Sequence, residues 1–455
     1  MTTKKQINLL RGWPNPALLP TQAILRAAQS ALSDPSISTP GLEYGPDPGY
    51  QPLREEIAKW VGDFYGGEPD PDRICITGGA SQNLACVLQV YTDPLKTNVW
   101  MVAPCYFLAC RMFEDAGLTL RAIEEGNGGI DLVALEKQLE KTGREGGESK
   151  PLKRPTPWSK IYSNIIYCVP TFSNPSGKTM SLSTRESLVR LARKYDALII
   201  TDDVYDFLQF PTSPTMSASS FSKALLPRLV DLDRTLQPMP SGDNFGNAMS
   251  NGSFSKIAGP GVRTGWAEAT PKFTYGLSQC GSSRSGGAPS QLAATMMAVL
   301  LKNGELQSHI KDVLNPTYKR RYESMLEAIQ THLVPLNVKV GEVNFEGKAV
   351  FGGYFIWLEL PKDTSARLIA ERAKEKENLI VASGHVFEVS GDSSIQFKNS
   401  LRLCFSWEEE ADLKEAVFRL ARVVKDNEDD SGLSSRNIGV GVDNQDMKQD
   451  LGEFQ

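Results

Sequence analysis

The lysine in the stretch SFSKIAGPGVRTGW, residues 253–266, is flanked by serines and followed by an arginine. A lysine that is desolvated among small residues has a lowered pKa and can form a Schiff base with an aldehyde. The hydroxyls of Ser253 and Ser255 and the guanidinium of Arg263 are donors that suit a phosphate. The letters SFSK also occur at 220–223, so the reactive lysine is either Lys256 or Lys223.

Two carboxylates follow the apolar run ALII in the stretch ending TDDVYDFL, residues 201–208. A carboxylate at the end of a buried strand is costly unless a cation pairs with it, and a protonated heterocyclic nitrogen is such a cation. An aldehyde that reacts with lysine, a phosphate and a protonatable ring together describe pyridoxal 5'-phosphate.

Two glycine- or proline-containing turns also follow apolar stretches. TGGASQN (77–83) leads into a predicted helix, whose first N–H groups and dipole attract anions. Taken alone, such a turn is more often plain chain reversal. In TFSNPSGKTMS (171–181), Asn174 can present its amide while Pro175 holds the turn, although a simple turn explains this stretch equally well.

The elements that must position these groups alternate between strand-like and helix-like stretches, which predicts an α/β fold with a largely parallel sheet. Ligands of such sheets bind at the carboxyl ends of strands, where the polar residues fall. We predict strands at 73–77, 98–104, 164–170 and 196–203, loops at 141–160 and 237–252, and a disordered tail over 426–455.

Composition excludes several classes of protein. At 455 residues and 40% hydrophobic, the chain is long enough for two domains. The net charge of -5 comes without a basic block, so no nucleic-acid partner is expected. No apolar run reaches the roughly 18 residues of a membrane span and the start lacks an export signal, so we expect a cytoplasmic protein without a membrane partner.

The cysteines and histidines offer little for metal or triad chemistry. The seven cysteines are an odd number without a C-x-x-C pair, which predicts buried, reduced thiols. The three histidines lie far apart in the sequence. We therefore expect no metal site.

In family order, nine stretches of the chain resemble the fold-type I aminotransferases of class I/II, in the branch that includes 2-aminoadipate and kynurenine aminotransferases. These stretches are GWPNP (12–16), YGPDPGYQPLREEIAKW (44–60), ITGGASQNL (76–84), APCY (103–106), VPTFSNPSG (169–177), TDDVY (201–205), SFSKIAGPGVRTGW (253–266), GGYFIWLELP (352–361) and LRLCFSW (401–407). The resemblance as a whole runs from about residue 8 to residue 425.

The resemblance implies a large cofactor domain, with a mostly parallel seven-stranded sheet between helices, and a smaller α/β domain. The implied divisions are an N-terminal arm and part of the small domain at 1–45, the large domain at 46–309 and the C-terminal small domain at 310–425. Pro-Gly, Arg and Gly-Trp follow the family's Schiff-base lysine as they follow Lys256, whereas Lys223 lacks these glycines. Lys256 is therefore the predicted catalytic lysine and Lys223 a surface residue.

The resemblance also implies the remaining roles around pyridoxal 5'-phosphate. Asp202 would pair with the ring nitrogen and, with Lys256 and Tyr106, is counted among the catalytic residues. Tyr106 would stack on the ring, and Asn174 and Tyr205 would hydrogen-bond its hydroxyl. The expected phosphate ligands are Ala80, Ser81, Gln82, Ser253, Ser255 and Arg263, with Tyr44 reaching across a homodimer.

For the substrate, Arg402 would grip the α-carboxylate, with Gly12, Trp13 and Asn174 beside it. The implied reaction moves the amino group of an L-amino acid to a 2-oxo acid such as 2-oxoglutarate, with Lys256 carrying the proton in a ping-pong cycle. The bulky Trp13, Tyr106 and Phe351 slightly favour a large or aromatic side chain.

Two other functions remain compatible with these residues. A carbon-sulfur β-lyase would use the same cofactor residues, because both reactions pass through the same Cα carbanion. A non-catalytic ligand-binding module resembles the aminotransferase-like part of some transcription regulators. The latter is disfavoured because the lysine and both arginines are retained and the match begins near residue 8.

Overall fold

The computed structural model describes residues 4–145, 151–154, 156–212, 223–236, 242–284, 289–341 and 349–433. Helices and strands alternate through its first two-thirds, as the sequence predicts. The helices are α1 (Thr21–Ser33), α2 (Pro35–Leu42), α3 (Gln51–Tyr65), α4 (Ala80–Tyr91), α5 (Phe107–Asp115), α6 (Leu132–Glu145), α7 (Leu182–Lys194), α8 (Leu229–Thr235), α9 (Pro271–Ser278), α10 (Gly281–Arg284), α11 (Gln291–Lys302), α12 (Glu305–His309), α13 (Asn315–His332), α14 (Ala366–Glu377) and α15 (Glu410–Leu433).

Most of the strands belong to two sheets. The strands are β1 (Ile7–Asn8), β2 (Ile74–Thr77), β3 (Asn98–Ala103), β4 (Thr119–Glu124), β5 (Asn164–Cys168), β6 (Ala197–Asp202), β7 (Gln209–Pro211), β8 (Ala248–Ser253), β9 (Gly265–Glu268), β10 (Lys339–Val340), β11 (Val350–Gly352), β12 (Phe355–Glu359), β13 (Leu379–Ile380), β14 (Ala382–Ser383) and β15 (Ser400–Cys404).

The larger sheet has seven strands in the order β2-β9-β8-β6-β5-β3-β4. All run in one direction except β9, which is antiparallel to both of its neighbours. The mostly parallel seven-stranded sheet implied by the resemblance is thus confirmed. The four strands predicted from the sequence are also confirmed, as β2, β3, β5 and β6.

Both faces of this sheet are buried, which explains why its strands are almost continuously apolar. Along β3, Val99 and Met101 pack on the face covered by α4, α5 and α9. Trp100 and Val102 pack on the opposite face, against α6, α7 and α8. Because side chains alternate along a strand, each face of the sheet receives every second residue.

A smaller four-stranded sheet, in the order β10-β12-β15-β14, follows in the C-terminal part of the chain. The N-terminal strand β1 pairs in parallel with β13, which brings the first described residues beside this C-terminal region. The pairing places the residues after Asn8 close to Arg402 on β15, about four hundred residues later in the sequence.

The structure corrects one predicted loop. Residues Ala248–Ser253, within the stretch 237–252 that was expected to be a loop, form the buried strand β8 in the middle of the sheet. Its small polar residues suggest a loop, but Ser250 donates to the Asp203 carboxylate and Asn251 donates to Asp202. Hydrogen bonds of this kind compensate for burying polar groups in a strand. Residues 237–241 lie outside the described residues.

Two other predicted irregular segments are partly helical. Helix α15 continues through Leu433, so the predicted disordered tail does not begin at residue 426. Helix α6 extends through Glu145, into the predicted 141–160 loop. Residues 146–150, 155 and 434–455 lie outside the described residues.

All seven cysteines are free and buried, as predicted. In the described part of the chain, no group of three metal-ligating side chains converges. Nor does any described helix have the length and apolarity needed to cross a bilayer.

Gly252 on β8 tests how closely the sheet is packed. A Cβ at this position would overlap the indole of Trp266 on the neighbouring strand β9. We expect Gly252→Ala to lower the free energy of unfolding by about 1–3 kcal/mol, the usual cost of overpacking, in a chemical denaturation experiment. Gly281→Ala is the matched control, because no atom lies within 4 Å of the position that its methyl group would take. Equal stability of the two variants would contradict the packing described.

Candidate active site

A cavity of about 400 Å³ opens at the carboxyl ends of β2, β5, β6 and β8. Most of the side chains that the sequence predicts for the site line this one cavity. They are Gly12, Trp13, Ala80, Ser81, Tyr106, Asn174, Asp202, Tyr205, Ser253, Ser255, Lys256, Arg263 and Arg402.

Lys256 lies in the single 3₁₀ turn Phe254–Lys256 that directly follows β8. Its Nζ donates to the carbonyl oxygen of Gly12 at 2.7 Å and lies 5.3 Å from the ring centre of Tyr354. Burial, with a smaller effect of the Arg402 guanidinium and against the opposing effects of Cys404 and Asp202, lowers the pKa of this amine from 10.5 to about 8. A neutral amine, which can act as a nucleophile or a base, is therefore accessible near neutral pH.

Asp202 is the last residue of β6 and presents its carboxylate to the same cavity. Burial raises the pKa of this group to about 6, against the opposing effects of the Tyr167 hydroxyl and Lys256. The adjacent Asp203 lies on the other face of the sheet, where it accepts from Thr201 and Ser250. Strand alternation thus selects one of the two predicted carboxylates for the cavity.

Neutral donors hold Asp202 in place. The Tyr167 hydroxyl donates to Oδ2 at 3.0 Å, and the Asn251 amide donates to Oδ1 at 3.3 Å. Asn251 in turn accepts from the buried Asn83 of α4 at 2.8 Å. Among the described residues, no cationic side chain forms an ion pair with the Asp202 carboxylate. A positively charged ligand group would therefore stabilise its ionised form.

The other end of the cavity is rich in N–H and O–H donors. Helix α4 begins at Ala80, after Gly79 with φ of +97°, and its first N–H groups face outward from the helix. Arg263 donates to the carbonyl oxygen of Gly78 at 2.8 Å. A Cβ at Gly79 would lie 2.7 Å from the Arg263 guanidinium, so only glycine fits this turn. Ser253 and Ser255 complete a set of donors that suits a phosphate.

Arg402 is buried on β15 and donates from Nη1 to the Asn174 amide oxygen at 2.8 Å and from Nη2 to the Leu10 carbonyl. Its Nε is buried and has no acceptor among the described residues. The guanidinium also lies 4.1 Å from the ring centre of Phe355. A buried arginine held by neutral acceptors is prepared to bind a carboxylate.

Two predicted site residues do not line this cavity in the described chain. The Gln82 side chain turns back, accepting from the Gly78 N–H at 2.9 Å and donating to the Cys86 sulfur. Any contribution to the site would therefore come from the main chain of Gln82. Tyr44 is 89% exposed and lines a separate depression with residues 41–45, 47, 283–284 and 289–292.

The second candidate lysine, Lys223, and the aromatic residue Phe351 lie away from the site. Lys223 is exposed, and its Nζ donates to the Asp63 carbonyl, away from the cavity of Lys256. Residues 220–222, the rest of that second SFSK, lie outside the described residues. Phe351 is buried and stacks on Tyr322 with ring centres 4.1 Å apart, so it belongs to the core.

Sequence reasoning missed several residues that position the site. Tyr167 and Asn251 hold Asp202, and the Tyr354 hydroxyl donates to the Lys256 carbonyl at 3.0 Å. Alternation along β8 would have placed Asn251 and Ser253 on one face, had that strand been predicted. Tyr354 lies in the stretch GGYF (352–355), but nothing in the sequence indicates its contact with Lys256.

A family model described as aminotransferase class I and II matches residues 4–420. The chain belongs to this family. An uncharacterised protein of Saccharomyces cerevisiae is 34% identical, over 92% of this chain and 97% of its own length. The 2-aminoadipate transaminase of Thermus thermophilus is 29% identical, over 91% of this chain and 89% of its own.

The structural comparison agrees with the family. A crystal structure of the kynurenine aminotransferase of Pyrococcus horikoshii superposes with a TM-score of 0.75 and 28% identity, covering 94% of this chain and 92% of the other. The protein is therefore a transaminase that uses pyridoxal 5'-phosphate. The cavity fits this cofactor, because a buried carboxylate lacking a cation lies at one end and phosphate donors lie at the other.

The lowered pKa of Lys256 predicts how the apoprotein takes up its cofactor. Because only the neutral amine attacks an aldehyde, the rate of covalent incorporation should rise with pH and reach half of its maximum near pH 8. Stopped-flow absorbance of apoprotein mixed with pyridoxal 5'-phosphate measures this rate. A midpoint near 10.5, the ordinary value for lysine, would show that the amine is not desolvated.

Proposed function

We propose that the protein transfers the amino group of an L-amino acid with a large, aromatic side chain to a 2-oxo acid in a ping-pong cycle. The observation that carries the substrate class is the wall of the cavity. Beyond Arg402, this wall is apolar and consists of Trp13, Pro14, Phe107, Leu108, Met112 and Phe355. An apolar wall binds flat hydrocarbon surface and leaves a second carboxylate unpaired.

Charge in the cavity supports this choice over an acidic donor. The charged side chains among its described lining residues are Asp202, Lys256, Arg263 and Arg402. In this proposal Arg402 takes the substrate α-carboxylate and Arg263 the cofactor phosphate. Neither cation then remains for the side-chain carboxylate of a substrate such as 2-aminoadipate.

The cofactor, when bound, withdraws electrons from the substrate Cα. Asp202 would balance the charge of its ring nitrogen, Asn174 and Tyr205 would hydrogen-bond its ring hydroxyl, and Tyr106 would cover its face. The main chain of Ala80 and Ser81, the hydroxyls of Ser253 and Ser255, and Arg263 would hold its phosphate. These assignments follow from the lining of the cavity and from the family resemblance.

Lys256 moves the proton in this proposal. In its neutral form, the Lys256 amine would act as the base that removes the proton from the substrate Cα. The Gly12 carbonyl and the Tyr354 hydroxyl keep Lys256 at the cavity, because one accepts from its Nζ and the other donates to its carbonyl. In the second half of the ping-pong cycle, a 2-oxo acid would accept the amino group of the substrate.

The relatives support the reaction and both candidate side-chain classes. Kynurenine is an aromatic amino acid and 2-aminoadipate a dicarboxylic one, and the proteins named for them are about equally similar to this chain. The apolar wall favours the aromatic class here. For the acceptor, 2-oxoglutarate is the family expectation, and the same wall accommodates phenylpyruvate.

A homodimer with shared active sites completes the proposal. Leu42, the last residue of α2, and Tyr44, two residues later, are 69% and 89% exposed and form neighbouring large side chains that a partner could cover. A second copy seated on this face would cover both and bring the Tyr44 hydroxyl toward the partner's phosphate site. A cytoplasmic location stays a prediction from the sequence.

The Lys256→Met and Lys223→Met pair tests the catalytic assignment. With tyrosine and each of 2-oxoglutarate, pyruvate and phenylpyruvate, we expect Lys256→Met to lose turnover by at least about 10²–10⁴-fold, as when a general base is removed. Lys223→Met should retain wild-type turnover, because Lys223 lies on the surface. Liquid chromatography of the new amino acid and 2-oxo acid measures both.

Other outcomes would contradict the proposed function in distinct ways. Release of pyruvate, ammonia and a thiol from cysteine conjugates, without amino transfer, would identify a β-lyase. Faster turnover of 2-aminoadipate than of any aromatic amino acid would contradict the proposed substrate class. Cofactor binding without any turnover would indicate a non-catalytic module.

A further inference from the structure

Trp13 forms the outer part of the cavity wall and is 38% exposed. An exposed indole at the mouth of a cavity would ordinarily change rotamer. The Trp13 ring is instead packed edge to face against Trp407, with ring centres 5.7 Å apart. Trp407 lies three residues after the end of β15, the strand that carries Arg402, so the pair joins the N-terminal segment to the region of the carboxylate-binding arginine.

Arg11 binds both of these indoles. Its guanidinium carbon lies 5.2 Å from the ring centre of Trp13 and 5.4 Å from that of Trp407. Both distances are within the range of cation–π interactions, which are stronger for tryptophan than for other aromatic residues. The Arg11 Nε is buried and has no hydrogen-bond acceptor among the described residues. The Glu408 carboxylate interacts electrostatically with Arg11, and the two ring faces further stabilise this end of the side chain.

The main chain around Arg11 is tied to the reacting groups. The carbonyl of Leu10 accepts from Arg402, that of Gly12 accepts from Lys256 at 2.7 Å, and that of Trp13 accepts from Ser406 at 2.7 Å. The backbone of residues 10–13 thus has a fixed position relative to the carboxylate-binding arginine and the catalytic lysine. These main-chain contacts do not fix the orientation of the Trp13 side chain.

We propose that Arg11 is a positioning residue that sets substrate specificity. By holding the Trp13 indole against Trp407, it fixes the wall against which a large, flat, apolar side chain packs. Arg11 itself does not line the cavity, so it acts through Trp13. This inference rests on the proposed function, since it concerns the aromatic side chain of that substrate.

The effect should be confined to substrates that reach Trp13. Loss of a two-sided cation–π contact should allow the indole to leave its position, and we expect KM for tyrosine to rise roughly tenfold in Arg11→Met. The value of kcat for tyrosine, and both constants for alanine, should stay within about twofold, because the methyl group of alanine is too short to need this wall. Arg11→Lys, which keeps the charge but not the planar group, should restore part of the loss.

A second measurement follows Trp13 without turnover. Acrylamide quenching of tryptophan fluorescence should increase in holoenzyme carrying Arg11→Met, because the released indole becomes more accessible. The increase should vanish when Trp13→Phe is added. Arg26→Met is the matched control, since Arg26 is an exposed arginine on α1 that pairs with Glu305. It should change neither quenching nor KM.

The two readouts separate this inference from the proposed function. Unchanged quenching, or an equal change of KM for tyrosine and alanine, would overturn the role of Arg11. If aromatic amino acids are not substrates at all, the proposed substrate class fails, and with it the specificity role of Arg11. The quenching result would then still report whether Arg11 holds Trp13.

Discussion

Three ionisable groups share one cavity, in which Asp202 and Arg402 are buried and Lys256 is partly buried. Lys256, Asp202 and Arg402 are each surrounded by neutral acceptors or donors, so that no direct ion pair among them satisfies their charges. Removing a charge from water without a partner is expensive, and the pKa of each group shifts toward its neutral form. Because of this cost, the cavity favours a ligand whose charges are complementary to those of the three groups.

The fold offsets this cost by bringing together residues that are far apart in sequence. Parallel strands deliver Asp202 and the Lys256 turn to one edge of the large sheet. The pairing of β1 with β13 brings the Leu10 and Gly12 carbonyls to the two buried cations. The N-terminal segment therefore contributes one main-chain acceptor to each of these two cations, and its Gly12 leaves room for Phe355.

Much of the fold and site could be predicted from the sequence, because strands of a parallel sheet read as apolar runs and each ends at a polar motif. Strand β8 could not, since its residues AMSNGS are small and polar and are stabilised in the core by partners on other strands. The direction of the Gln82 side chain could not be predicted either, since a local hydrogen bond from the Gly78 N–H decides it. Arg11, Tyr167 and Asn251 act through contacts between distant segments, which a single sequence does not reveal.

The protonation state of the cofactor ring tests most directly whether the cavity is organised around a buried carboxylate. Pyridoxal 5'-phosphate labelled with ¹⁵N in the ring can be bound to the wild-type protein and to Asp202→Asn, and its ¹⁵N chemical shift recorded at neutral pH. If Asp202 pairs with the ring, the nitrogen should be protonated in the wild type and neutral in the variant. A neutral ring nitrogen in the wild type, or the same shift in both proteins, would contradict the account.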